Sequence, residues 1–187
     1  MESNQFECKR KSYMRTGEIY FFTATINKWQ RLLWNDAFKN IIVNCLKHLS
    51  DAGLTDVFAF VIMPNHIHLI WRINAIKGKE STQGSFLKYT AHAFKKMLIS
   101  ENGVDALNSY AVNASNKNYE FWQRDSLAIH LYTREVAYQK LNYIHNNPMG
   151  KNWDLVTHTS DYVYSSAKYY ETGETLFPFL KDLREEF

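Results

Sequence analysis

Two histidines separated by one residue, His66-Ile67-His68, are the first residues in this chain whose types and spacing could do chemistry. They open a segment in which Ile67, Leu69, Trp71 and Ile73 alternate with His66, His68, Ile70 and Arg72. Alternation of period two predicts a strand, whose side chains at i and i+2 point the same way, about 7 Å apart along the chain. Two neutral imidazoles so placed can hold one cation between them. The same pair could equally be two hydrogen-bonded histidines on a half-exposed sheet face, and the spacing alone leaves both readings open.

A second constellation is Tyr143 with Asn147 four residues on. On a helix the two share a face with Val136 and Lys140, beside a core-facing stripe of Ala137, Leu141 and Ile144. Tyr143 is thereby left to point toward the histidines. The competing reading is a packing tyrosine, one of 12, followed by an ordinary helix stop at Asn147-Pro148. Chemistry connects the two constellations. A tyrosine hydroxyl, with a reference pKa of about 10, is a poor nucleophile near neutrality. To attack a phosphodiester it needs a polarised phosphorus, which a divalent cation provides.

The elements that would carry these groups follow from periodicity. Tyr20 to Ile26 is β-branched and aromatic, a predicted strand. Phe38, Ile41, Ile42, Cys45 and Leu49 recur at helical spacing, with Asn35 or Asp36 to cap and Gly53 to stop. Val57 to Met63 is a continuous apolar run, predicted to be a central strand, and Pro64-Asn65 a turn. After a polar loop over 75–84, Phe86, Leu87, Thr90, Phe94, Met97 and Leu98 form a helical stripe. Residues 101–118 are weakly patterned and take no assignment. Ser126 to Leu131 reads as a fourth strand, and Thr133 caps a helix running to about His145. The order strand, helix, strand, strand, helix, strand predicts an α+β fold, the ferredoxin-like split βαβ with an antiparallel sheet, plus an extra C-terminal helix carrying Tyr143. Helices are expected on one sheet face, leaving the other open for a site.

The stretch Val61–Trp71, VIMPNHIHLIW, resembles the His-hydrophobic-His strand of the single-tyrosine HUH transposases, and is most similar to the REP-associated tyrosine transposases. The resemblance continues at Phe121-Trp122-Gln123-Arg124, at Tyr143-Ile144-His145-Asn146-Asn147-Pro148 and at Tyr162-Val163-Tyr164-Ser165-Ser166, so it spans about Tyr20 to Tyr170. It implies that His66, His68 and Asn147 are metal ligands and that Tyr143 is the nucleophile. It also implies Mg²⁺ or Mn²⁺ as cofactor, a 5′-phosphotyrosine intermediate and a single-stranded or hairpin DNA substrate at repeat sequences. Where many relatives carry a basic residue and a Gly-hydrophobic pair after the proline, this chain reads Met149-Gly150-Lys151-Asn152-Trp153.

Composition sets the outer bounds. The 187 residues suit one domain, with a basic polar lead-in over 1–15 and an aromatic-rich tail over 149–187. A net charge of +3 permits a polyanionic partner without requiring one. Candidate DNA contacts are Arg124, which could instead pair with Asp125, Trp122 as a base-stacking ring, and Lys88 and Lys95 on one helix. For the lysines a solvated helix face is the favoured reading. Cys8 and Cys45 have no metal or redox spacing, so a reducing cytoplasm is the default, and no apolar run is long enough for a membrane. A nucleotide hydrolase built on histidines would want a third at position 70, which is Ile70, and a zinc hydrolase an acidic base near the pair, which is missing. A catalytically retired binder of DNA hairpins is the alternative, and monomer and homodimer are both open.

Overall fold

The computed structural model describes residues 14–76, 78, 80–114, 117–124, 126–174 and 176–187. The basic cluster Lys9, Arg10 and Lys11, Cys8, and Asp125 lie outside the described residues. In chain order the elements are β1 (Ile19–Thr25), α1 (Asp36–Asp51), β2 (Thr55–Met63), β3 (His66–Ile73), α2 (Thr82–Asn102), β4 (Ala111–Ala114), β5 (Lys117–Tyr119), β6 (Leu127–His130), α3 (Arg134–Asn146) and α4 (Ala167–Thr172). The main sheet runs β2-β3-β1-β6, with every pair antiparallel. This is the split βαβ, ferredoxin-like arrangement predicted above.

The predicted caps are present. Asn35 Oδ1 accepts from the Ala37 N–H at 2.9 Å, and Thr133 Oγ1 accepts from the Val136 N–H at 3.3 Å. Gly53 takes a φ of 68°, the left-handed geometry that turns the chain out of α1. Within 101–118, the first two residues end α2, Val104–Tyr110 is a 3₁₀ stretch, and β4 and β5 pair antiparallel with residues that are half-buried or exposed, so no apolar period marks the segment.

Period two along β3 sorts its side chains into two cores. Ile67, Leu69, Trp71 and Ile73 join Phe86, Phe94 and Leu98 of α2 and Phe38, Ile42 and Leu46 of α1. On the other face Ile70 joins Phe21, Phe58, Val61 and Met63, and there α3 brings Ala137, Leu141 and Ile144. The sequence led us to expect an open second face, and the structure corrects this: α3 roofs it. The reason is the α3 stripe itself: three apolar residues on one helix face need a partner, and the second sheet face is the surface that buries them.

The aromatic tail closes the β2 edge. Ser165 bridges Val61, the Ile62 N–H donates to Tyr164 O at 2.9 Å, and the Tyr162 and Tyr170 hydroxyls donate to Ile62 O and Phe58 O. Backbone groups that an edge strand would expose are thus paired. No helix among the described residues is long and apolar enough to cross a membrane.

Candidate functional site

Strand register builds the floor of the site. His66 and His68 lie opposite Thr25 and Thr23 of β1 and opposite Met63 and Val61 of β2, and partners across a ladder face the same side. The two imidazole centroids are 4.7 Å apart. They are 7% and 4% exposed, which their strand position alone did not predict, since α3 covers them.

The groups around the imidazoles nonetheless include polar ones, and one of them sets the tautomer of His66. Asn65 Nδ2 donates to Trp29 O at 3.4 Å, which leaves Asn65 Oδ1 to accept from His66 Nδ1 at 2.6 Å. His66 Nδ1 then carries the proton and Nε2 keeps its lone pair. His68 Nδ1 is paired with Thr23 Oγ1 at 2.8 Å. Its Nε2 is buried and without a hydrogen-bond partner. Burial pushes the His66 imidazole down to about 4, partly offset by the side chain of Asn147 beside it. Burial, then the charges of His66 and Lys140, push His68 down to about 3. Both rings are therefore neutral at pH 7, the form that ligates metals.

The roof brings the remaining residues. α3 ends at Asn146, and Asn147-Pro148-Met149 continues as a 3₁₀ turn that keeps Asn147 over the histidines. The Asn147 side chain is close enough to favour protonated His66, yet no hydrogen bond of normal geometry reaches its Oδ1, which is buried. One turn earlier, Tyr143 stands with its ring 5.1 Å from His68 and 6.0 Å from Phe21, and is 49% exposed. Lys140 Nζ lies 4.9 Å from the Phe21 ring and 5.8 Å from that of Tyr143. All of these line one cleft of about 850 Å³.

Two buried polar atoms without partners, His68 Nε2 and Asn147 Oδ1, line the same cleft as His66. Orphaned buried polar groups cost about 1–3 kcal/mol each, a cost that binding to a cation would remove. Among the described residues no cluster of three or more His, Cys, Asp or Glu forms a metal site. A cation held here would have a neutral donor set of two nitrogens and an amide oxygen, with coordination positions left for phosphate oxygens.

The other predicted contacts are elsewhere. Trp122 is 6% exposed, donates its Nε1–H to Thr90 Oγ1 at 2.9 Å and packs 5.6 Å from Phe94, so it is a core residue with no face for a base. Lys88 and Lys95 project from α2, on the far face of the sheet. There Lys88 pairs with Glu80 at 3.5 Å and Lys95 sits over Tyr119. Arg124 pairs with Glu120, which also binds Lys117, rather than reaching the cleft. His145, without a role in sequence, is buried in the second core and bonded to Ser166 Oγ at 2.9 Å. Conversely, Thr23, Asn65, Trp29 and Trp153 join the cleft or its support unforeseen. Only Asn65 carried a signal, its position directly before His66.

No family model matches the chain, and no curated protein matches it. Among solved structures it is similar to a REP-associated tyrosine transposase bound to a REP hairpin. That match has 18% identity and a TM-score of 0.57, covering 89% of this chain and 86% of that one. A structure described as a transposase from Deinococcus radiodurans R1 aligns at 15% identity over 73% of this chain and 94% of that one, with a TM-score of 0.41, too low to bear on the fold. A TM-score of 0.57 over most of both chains shows that this chain shares the fold of that REP-associated tyrosine transposase.

Proposed function

We propose that this protein is a transposase-like enzyme that cleaves and transfers single-stranded DNA at hairpin-forming sequences, with Tyr143 as nucleophile. The observation that carries this reading is the convergence in one cleft of a half-exposed tyrosine with two neutral histidines and an unpartnered amide oxygen. His66, His68 and Asn147 would hold Mg²⁺ or Mn²⁺. When bound, the cation supplies charge neutralisation at a non-bridging phosphate oxygen.

The remaining steps belong to the chain's own side chains. Lys140 brings a positive charge to the same face as Tyr143, where it draws the phosphate toward the ring. The Tyr143 oxygen attacks phosphorus, the bond from phosphorus to the 3′ oxygen breaks, and a 5′-phosphotyrosine forms. The tyrosine proton passes to solvent, and the departing 3′ oxygen takes one up to become a hydroxyl. That hydroxyl, or another, reverses the step and completes transfer. Asn65 and Thr23 hold the imidazole orientations through their Nδ1 atoms throughout.

The test is incubation with single-stranded DNA carrying hairpins and Mg²⁺ or Mn²⁺, followed by mass spectrometry of the DNA-linked peptide. An adduct on Tyr143, lost in Tyr143→Phe while hairpin binding persists, is the expected result. An adduct on another residue overturns the assignment, and hairpin binding with no adduct makes the chain a retired binder.

A further inference from the structure

The mouth of the cleft is built by two short segments whose backbones are strained at tryptophans or beside them. In the turn after β1, Lys28 and Trp29 take φ values of 54° and 56°. Past the proline, Asp154, next to Trp153, takes 45°. Left-handed geometry is rare for residues other than glycine and is an outlier for a bulky one such as tryptophan. Such strain persists where the surroundings hold it and concentrates at sites that use it.

The surroundings here are specific. The turn after β1 is tied to Pro64-Asn65 by Ile26 N–H donating to Asn65 O at 2.8 Å and Leu33 N–H donating to Pro64 O at 2.9 Å. Asn65 Nδ2 donates to Trp29 O, and its Oδ1 accepts from His66. The strained turn and a candidate metal ligand are thus held by one amide. At the strained position Trp29 is 61% exposed and lines the cleft, and Trp34, further along the same segment, is 57% exposed.

A row of flat groups connects this surface to the histidines. The Arg31 guanidinium lies 5.8 Å from the Trp34 ring and 5.6 Å from the Trp153 ring, and Trp153 is 6.0 Å from His66. Charged residues on the two segments, 27–34 and 150–154, are Lys28, Arg31 and Lys151 against Asp154. Exposed indoles interleaved with cationic groups suit a chain whose repeating unit is a planar base and a phosphate.

We infer that Trp29 and Trp34, with Arg31 stacked between Trp34 and Trp153, form a platform on which unpaired bases beside the scissile phosphate stack. The occupant is a single strand: a duplex has its base faces already stacked, so exposed rings gain nothing from it. Stacking tolerates any base, so the platform positions the strand and does not read its sequence. The inference rests on the proposed function for its substrate class, and not on catalysis.

The experiment uses the full chain in EDTA, with an oligothymidylate of about 20 nucleotides carrying one 2-aminopurine. The parent protein is expected to bind it and quench the fluorophore. Trp29→Ala and Trp34→Ala are each expected to lose about tenfold or more in affinity with most of the quenching, while Trp29→Phe keeps both. Unchanged affinity and quenching in both alanine variants overturn the platform, and do so alone if the parent still forms a Tyr143 adduct. Loss of stacking in the variants, from a parent that forms no adduct with any DNA, retains the platform and removes the catalytic reading. A parent that binds no single strand removes both. Sedimentation showing a dimer that the same alanine substitutions dissociate would assign these rings to a second copy of the chain and overturn the inference.

Discussion

Acid should leave metal binding at this site nearly intact, down to a pH at which ordinary histidines have stopped ligating. Two unperturbed imidazoles titrate near 6.5, so at pH 5 each is only about 3% neutral and both are neutral about 0.1% of the time. A site built from them loses roughly 1,000-fold in apparent affinity between pH 7.5 and 5. Burial takes His66 down to about 4 and His68 to about 3. At pH 5 these are about 90% and 99% neutral, so the loss is less than about twofold. The assay is a Mn²⁺ titration of the protein at pH 7.5, 6 and 5, with free Mn²⁺ read by electron paramagnetic resonance. Affinity is expected to be weak at every pH, because the donor set has no charge. The reasoning is refuted by a hundredfold loss at pH 5, or by an apparent midpoint near 6.5. Either result would mean that water reaches the imidazoles and the roof of α3 does not seal them.

Two further outcomes follow from the same geometry. His145, pushed down to about 4 by burial, resists protonation in the folded state, so its contribution to stability is full above 6.5 and is lost as pH falls toward 4. His145→Phe is expected to shrink the difference in urea-unfolding free energy between pH 7.5 and 5 by about 2 kcal/mol, and an unchanged difference would show that the ring is not buried in solution. Lys140→Gln should lower the salt slope of single-strand binding by roughly 0.7, whereas Lys88→Gln on the far face should leave it unchanged. The reverse pattern would place the DNA on the α2 side.

The elements were legible in the sequence because their apolar periods are strong. The run from Val57 to Ile73 announces two strands, and its alternation sorts His66 and His68 from Ile67 and Leu69 correctly. The α3 stripe was equally plain, but period 3.6 says only that Ala137, Leu141 and Ile144 seek a surface, not which face of the sheet offers one. That gap turned an expected open face into a roofed cleft. Trp122 was misplaced for a related reason. Between Phe121 and the polar Gln123-Arg124 it has no period, and its burial comes from long-range pairing with Ile26 and Thr90. Nothing in residues 27–34 forecast the exposed ring of Trp29, because a left-handed backbone at a lysine and a tryptophan is not preferred locally and is held by the ties to Pro64-Asn65.

The helix that presents Tyr143 packs on the sheet of its own chain, and we expect the site to be assembled within that chain. Leu141 and Ile144 flank Tyr143 and are 5% and 0% exposed, packed with Ala137 against Phe58, Val61 and Ile70. Burying a leucine or isoleucine side chain contributes about 1.5–3 kcal/mol, so Tyr143 can serve another molecule only if α3 leaves its own sheet and repacks on the identical sheet of that molecule. A tyrosine whose ring is 5.1 Å from His68 in the same chain needs no such exchange. Mixing two inactive variants tests this: Tyr143→Phe retains the histidines, and His66→Ala retains the tyrosine. If each site is built within one chain, the mixture forms no DNA adduct at any ratio. If helices were exchanged between copies, mixed dimers would pair an intact histidine floor with an intact Tyr143, and up to about a quarter of the sites would recover in a freely mixing dimer. Adduct formation in the mixture, mapped to Tyr143, would overturn the single-chain assembly while keeping the nucleophile.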